Sequence, residues 1–483
     1  MIRPSSPELP LSGISQKDLV SFFVLAFTTG VAAGQTSNMS NEETRTAPYS
    51  LNVVIVGGGV AGLSTAFCLG KAGHKITLVE GAELLGEIGA GIQVAPNMSR
   101  LLIRWGLQDR LTELGVKPLS ASFRRYENDE QVGFNIIGKR FEQDHRSPYY
   151  HLHRADLVEM IYEIAKPFLT VKHAKVTSVS PGPSASVILE SGEVIEADLV
   201  IGADGIKSVV RKAIVEGPDR PVPTGDVAYR ALIPTDKLLE DPELRSLVEN
   251  PQVTCWMGPG RHIVGYCVRG RKQYNLVMIR PDVESEESWV ATADSKEVRE
   301  TYEGWNSRVT KLLGFIQVAL KSKLVVRPPL DTWIDPSGRI ALLGDSCHSM
   351  LPYLAQGAAM AIEDAAVLGN IFSQISHASQ IGSFLKGYQD LRLPRATGTQ
   401  KASQANQLRF HLPDGPGQQA RDAAMKEAMK ETLLEESATG SGGAQSGNRS
   451  VVVDHNKQLA SLQFDYDADA AVKKWRENEG MIY

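Results

Sequence analysis

Cysteine is sparse in this 483-residue chain: Cys68, Cys255, Cys267 and Cys347 stand far apart, with no CxxC pair among them. That spacing writes in neither a zinc knuckle nor a disulfide framework, so no metal site is expected and the thiols read as reduced and structural. An excess of one charge is lacking too. Lys and Arg number 51 against 56 Asp and Glu, a net charge of −5, and like charges never gather into a block. The electrostatic footprint of a nucleic-acid binder is therefore missing. There is no internal repeat. Long apolar runs are also scarce, and the one candidate, Leu19 to Gly34, is shorter than the ~20 residues that cross a bilayer and is diluted by Ser21, Thr28 and Thr29. Val31-Ala32-Ala33 near its end gives it the look of a secretory signal, yet Glu8 and Asp18 offset Arg3 and Lys17 ahead of it. Two readings stay open: a signal or membrane anchor, or a dispensable extension of a cytoplasmic protein.

What is present in slight excess is glycine, 43 of 483 residues, about 9% against a usual ~7%. Its placement is informative. From Leu51 the chain runs Val53-Val54-Ile55-Val56, a glycine cluster, an amphipathic stretch from Ala61 to Leu69, Gly73 as a helix stop, and then Ile76-Thr77-Leu78-Val79. That order is one βαβ unit. The cluster Gly57-Gly58-Gly59-Val60-Ala61-Gly62 satisfies GxGxxG between strand and helix, and Glu80 ends the next strand, 18 residues past Gly62. Gly57 allows the tight turn, Gly59 lets a pyrophosphate reach the backbone, and Gly62 lets the helix pack on the strand. The helix N-terminus offers free N–H groups to the phosphates. An acidic residue at 80 suits the two hydroxyls of an adenosine ribose and disfavours a 2′-phosphate, so FAD or NAD fits better than NADP.

Two further strand-end motifs follow. One is Gly202-Ala203-Asp204-Gly205-Ile206-Lys207-Ser208-Val209-Val210-Arg211, and the other is Gly344-Asp345-Ser346-Cys347-His348-Ser349-Met350-Leu351-Pro352, with Gly357-Ala358 opening a helix. Ser186 to Ala197 reads as a hairpin. Val222 to Met278 alternates short strand-like pieces with Gly and Pro breaks. Glu436 to Asn448 has the composition of a flexible linker.

With these three motifs in this order, together with Gly86 to Gln93 and His153-Arg154-Ala155-Asp156-Leu157, the chain resembles the single-component (group A) FAD-dependent aromatic hydroxylases. The likeness is closest to the salicylate hydroxylase branch and covers Asn52 to Arg409, with an echo in Phe410 to Pro416. It implies an α/β fold: an FAD-binding, Rossmann-like domain of the GR2 type with an inserted mixed-sheet substrate domain. The expected division is 1–50 extension, 51–120 FAD domain, 121–150 substrate segment, 151–220 FAD domain, 221–330 substrate sheet, 331–415 FAD domain and 416–483 helical or flexible tail.

The resemblance further implies that Gly57, Gly59 and Gly62 hold the FAD pyrophosphate and Glu80 its ribose. Gly91 would lie near the flavin, Arg154 would contact FAD, Asp345 would bind the ribityl chain, and Ala358 would aim backbone N–H groups at flavin N1 and O2. A helix N-terminus stabilises the negative charge that reduced flavin carries there. Pro352 would wall the flavin ring, His348 would fix its loop, and Lys207 and Arg211 are candidates for nicotinamide phosphates. The implied chemistry is reduction of FAD by the co-substrate NAD(P)H, reaction with O₂ to a C4a-hydroperoxide, and oxygen transfer to a small phenolic or polyketide-type aromatic. On the substrate side Tyr229 is expected to hydrogen-bond the phenol while Arg230 or Arg211 lowers its pKa. Some relatives carry a histidine four residues before this tyrosine; here Gly225 stands there. An isoprenoid epoxidase and a non-catalytic carrier of the same fold group are the alternatives, the intact Gly344-Asp345 loop speaking against the carrier.

Overall fold

The computed structural model describes residues 46–82, 90–282, 291–439 and 451–479. The apolar run Leu19 to Gly34, Gly86 to Gly89 and most of the expected linker lie outside the described residues. Asn52–Val56, an almost unbroken apolar run, forms the middle of a five-stranded parallel sheet. The order is Ile340–Leu342, Leu199–Gly202, Asn52–Val56, Lys75–Glu80, Leu169–His173. Val53, Val54 and Ile55 are at most 2% exposed because helices and a three-stranded antiparallel sheet, Val194–Ala197, Ala185–Leu189 and Val176–Ser180, pack against these strands, which is why they show no polar alternation. The helix Val60–Lys71 packs between Arg154–Ala165 and Gly357–Phe372.

The second layer is an eight-stranded sheet. Its order is Ala291–Asp294, Val318–Val326, Val222–Pro234, Gln273–Pro281, Arg261–Val268, Gln252–Gly258, Ser120–Arg125, Gln131–Ile136. All neighbours are antiparallel except Gln252–Gly258 with Ser120–Arg125. Strand periodicity divides its side chains between two buried faces. The back face sends Tyr229, Ala231, Ile233, Trp256, Tyr274 and Met278 into a core with Val298, Val309 and Leu312 of the helices Ser295–Thr301 and Ser307–Gly314. The front face sets Ala228, Ile279 and Leu324 against Leu351 and Tyr353, which follow the strand Ile340–Leu342 of the parallel sheet. Between the layers runs a two-stranded ribbon, Gly91–Val94 with Tyr150–His153.

The chain end is helical: Pro416–Thr439, Val451–Phe464 and Ala468–Glu479. It docks back on the body of the protein, with Arg100 and Arg395 donating to backbone carbonyls at Leu462, Gln463, Phe464 and Tyr466. The helix from Pro416 runs through Thr439, so helical structure enters a stretch whose composition reads as linker. Among the described residues no helix is long and apolar enough to cross a membrane. All four cysteines are unpaired, and Cys255, Cys267 and Cys347 are buried.

Candidate active site

The glycine loop is built from two close backbone approaches and one open position. Gly57 holds φ +104°, and a Cβ there would lie 2.4 Å from the carbonyl oxygen of Ala203, the start of the Asp204-Gly205 motif. A Cβ at Gly62 would lie 1.9 Å from the Gly57 oxygen, so only glycine lets helix and strand meet. At Gly59 a Cβ meets nothing within 4 Å. That glycine opens on empty space at the N-cap of Val60–Lys71, whose first N–H groups receive no side-chain cap. Glu80 stands at the mouth of the loop, its carboxylate accepting the Gly58 N–H at 2.5 Å and the Ala82 N–H at 2.8 Å.

Gly344 (φ +63°) brings the third motif to the same place, since its Cβ would touch Ala61 Cβ at 3.0 Å. Asp345 follows. The residue is exposed at the surface of the loop. Burial pushes its pKa up, and the charges of His348 and Arg154 pull it back. Behind the loop lies a sealed ionic network. Asp364 accepts from Gly344 N at 3.0 Å and from Arg392 at 2.7 Å, and pairs with His348 Nε2 at 2.6 Å; Glu363 accepts from Arg392, Arg395 and Asn97. Although burial raises the Asp364 pKa, His348 and Arg392 outweigh it and hold the group at about 2. His348 therefore holds the loop in place.

The helix Gly357–Phe372 starts at this loop without a side-chain cap, Gln356 being its N-cap. Just before it Ala355 holds φ +52°, a strained state for a residue with a side chain, and Pro352 is exposed on the approach. Two uncapped helix N-termini, an open approach at Gly59 and an acid at the loop mouth together fit FAD.

The substrate-side residues are distributed differently from the sequence expectation. Arg230 is on the front face, half-buried, donating to Ser322 Oγ at 2.6 Å. Burial lowers its pKa, repulsion from Arg154 lowers it further, and Tyr266 acts the other way. Among the described residues it has no carboxylate partner. Gly91 meets the same corner: its N–H donates to Asn275 Oδ1 at 2.7 Å, and a Cβ would lie 2.6 Å from Tyr266. Tyr229 faces the opposite way. Its ring is in the back core, and its hydroxyl donates to Glu297 at 2.7 Å and accepts from Arg280 at 2.8 Å. Arg211 is 1% exposed and pairs with Asp219 at 2.8 Å while donating to the Ser346 carbonyl at 3.1 Å. It ties the second motif to the third and does not face the front of the sheet. Lys207 is on the surface. Sequence reasoning missed His151, His262, Tyr266 and His411. His262 Nδ1 lies 2.8 Å from His411 Nε2.

A Rossmann-type dinucleotide site that fits FAD, facing a mixed sheet, is the frame of an FAD-binding flavoprotein. The sequence profile of the FAD binding domain family matches residues 50–403. The chain is 38% identical over 381 residues to FAD-dependent monooxygenase OpS4 of Beauveria bassiana (strain ARSEF 2860), covering 78% of this chain and 89% of that one. It is 35% identical to 3-amino-4-hydroxybenzoate 2-monooxygenase PtmB3 of Streptomyces platensis, covering 78% and 93%. The structure of a salicylate hydroxylase substrate complex superposes with a TM-score of 0.67 at 24% identity, covering 85% of this chain and 98% of that one. The chain belongs to the FAD-dependent aromatic monooxygenases, and it is an oxidoreductase.

Proposed function

We propose that this enzyme consumes NAD(P)H and O₂ to hydroxylate a phenolic or polyketide-type aromatic that carries an anionic group. The observation that carries this reading is Arg230. This cation on the front face is partly desolvated and repelled by Arg154, among the described residues it donates to the Ser322 hydroxyl and meets no carboxylate, and a carboxylate or phenolate completes it. The names of relatives such as PtmB3, an aminohydroxybenzoate monooxygenase, support the same substrate chemistry.

In this reading Gly57, Gly59 and Gly62 cradle the FAD pyrophosphate, Glu80 takes the ribose, and Asp345 takes the ribityl hydroxyls. Ala358 and its neighbours present N–H groups to the electron-rich edge of the ring, and Arg154 lies alongside. When bound, FAD supplies the two-electron exchange with NAD(P)H and the activation of dioxygen. The protein supplies the rest. Arg230 orients the aromatic acid, Leu351 and Tyr353 close the front face against water, and the helix N-terminus at Gly357 steadies developing negative charge. Tyr229 and Arg211 serve as supports of the sheet and of the loop, not as substrate contacts.

The test is NAD(P)H oxidation by flavin-loaded protein across a panel of hydroxybenzoates and neutral phenols. Carboxylated phenols are expected to stimulate it most. Arg230→Met should raise their KM by roughly 10- to 100-fold, matching ~1.5–3 kcal/mol for a charged hydrogen bond, with flavin content unchanged. Equal KM values for wild type and Arg230→Met would refute the assignment.

A further inference from the structure

We propose that Asp226, His411 and His262 form a proton relay whose inner end, His262 Nε2, removes the phenolic proton of the substrate. This rests on the reading that the substrate is a phenol.

The relay joins three elements far apart in sequence. Asp226 is on the strand Val222–Pro234, on the same face as Ala228 and Arg230. His262 lies on the strand Arg261–Val268, opposite Ile279 and Met257 in the ladders, also on the front face. His411 ends the long helix Ile381–Phe410 as its C-cap. The contacts are His411 Nδ1 to Asp226 Oδ2 at 3.7 Å and His411 Nε2 to His262 Nδ1 at 2.8 Å. Asp226 also accepts from Tyr353 Oη at 2.7 Å and from Gln407 at 2.6 Å.

The relay takes one of the two tautomer pairs that these contacts allow. It places the proton of His411 on Nδ1, the nitrogen that faces the Asp226 carboxylate at 3.7 Å, which leaves His411 Nε2 a lone pair. The 2.8 Å contact then requires the proton of His262 on Nδ1, and the lone pair of His262 falls on Nε2. Among the described residues Nε2 has no hydrogen-bond partner, and it is absent from the sealed, unpaired atoms of the interior. The imidazole is packed against Tyr353 at 5.4 Å and Phe410 at 5.2 Å between ring centres, so it cannot swing away. Burial, reinforced by His411, keeps His262 neutral; burial does the same for His411 against the pull of Asp226. The other ionisable groups facing this cluster are Tyr353 and Tyr302, and their phenols are pushed well up by burial.

Arg230 and His262 are two strands and two residues apart on one face. With ~4.8 Å between strands and ~3.3 Å per residue, their Cα atoms are separated by roughly 12 Å, room for one substituted aromatic ring between anion anchor and base. In the step, the phenol O–H bond breaks and an Nε2–H bond forms on His262. Its Nδ1 proton passes to His411 Nε2, and the Nδ1 proton of His411 moves past Asp226 to water at the half-buried His411. One proton reaches solvent, the electron pair stays on the phenolate oxygen, and nothing is oxidised or reduced.

The experiment titrates nitrophenols, including nitro-substituted hydroxybenzoates, into flavin-loaded wild type, His262→Gln and His411→Gln across pH. Binding is read from the flavin spectrum and phenolate from its visible absorbance. Wild type is expected to ionise the bound nitrophenol at a proton concentration at least tenfold higher than free solution does. His262→Gln should bind it within a few-fold yet lose that advantage, and His411→Gln should lose part of it. If His262→Gln binds and ionises the probe like wild type, the relay is overturned while the phenol reading stands. If wild type binds none of the panel and no phenol stimulates NAD(P)H oxidation, both fail. Should His262→Gln lose its flavin, an unshifted ionisation curve for His411→Gln overturns the relay on its own.

Discussion

Replacing Gly59 and Gly62 separately by alanine should divide the glycine loop into a part that builds the fold and a part that binds FAD. At Gly62 the new methyl would stand 1.9 Å from the Gly57 oxygen, whereas ordinary contact begins near 3.4 Å. Helix Val60–Lys71 must then retreat by the difference, about 1.5 Å. Overpacking on that scale costs about 1–3 kcal/mol, and the flavin site moves with the helix. At Gly59 the methyl meets no protein atom within 4 Å. The folded apoprotein should keep its melting temperature, yet the methyl occupies the space through which a pyrophosphate reaches the N–H groups. Losing even one or two charge-assisted hydrogen bonds amounts to roughly 3 kcal/mol, on the order of a 100-fold weaker Kd for FAD. The assay pairs the flavin-to-protein absorbance ratio of purified variants with thermal unfolding of flavin-stripped protein. Stoichiometric flavin in Gly59→Ala, or an undisturbed apoprotein in Gly62→Ala, would refute the reasoning.

Tyr229→Phe should leave coupled hydroxylation unchanged while lowering stability by about 1–3 kcal/mol, because Glu297 and Arg280 lose a buried partner; rapid-reaction kinetics and denaturant unfolding check the two halves. Arg392→Met should destabilise by about 3–5 kcal/mol, as it strips a cation from two carboxylates that are 0% exposed. A melting-temperature loss of roughly 5–15 °C is expected. The Asp364 contribution to that network, its pKa being depressed in the fold, is present above about pH 4 and lost only as pH falls through about 2. His151 acts in the same direction over a higher pH window. Both its ring nitrogens are sealed and unpaired, and burial lowers its pKa to about 3. The unfolded chain binds this proton near pH 6.5, so stability should decline below that value, by about 2 kcal/mol at pH 5. His151→Gln should flatten that slope in pH-dependent unfolding.

The FAD half of the molecule was legible because its signals are local. Gly57, Gly59, Gly62 and Glu80 lie within one βαβ unit, and the Gly344-Asp345 loop carries its own helix start at Gly357. The substrate half was not. Val227 to Ile233 is almost wholly buried because helices cover one face of the sheet and the FAD layer the other, so the polar alternation that tells front from back is erased. Tyr229 and Arg230 are adjacent and therefore opposed, and the dipeptide itself does not say which one looks at the cleft. Arg211 reads as a free cation in sequence, but its partner Asp219 is met only after the chain has turned. The His262 to His411 contact spans 149 residues, and no spacing rule connects them.

The central claim, that an FAD held at this loop places activated oxygen on an aromatic acid anchored at Arg230, meets its most direct test in isotope incorporation. Flavin-loaded protein is turned over with NAD(P)H and a panel of hydroxybenzoates under heavy-isotope dioxygen, and the products are weighed by mass spectrometry. The account predicts one labelled oxygen atom per product ring, with the yield falling in Arg230→Met. Oxidation of NAD(P)H with every aromatic acid returned unlabelled would contradict it.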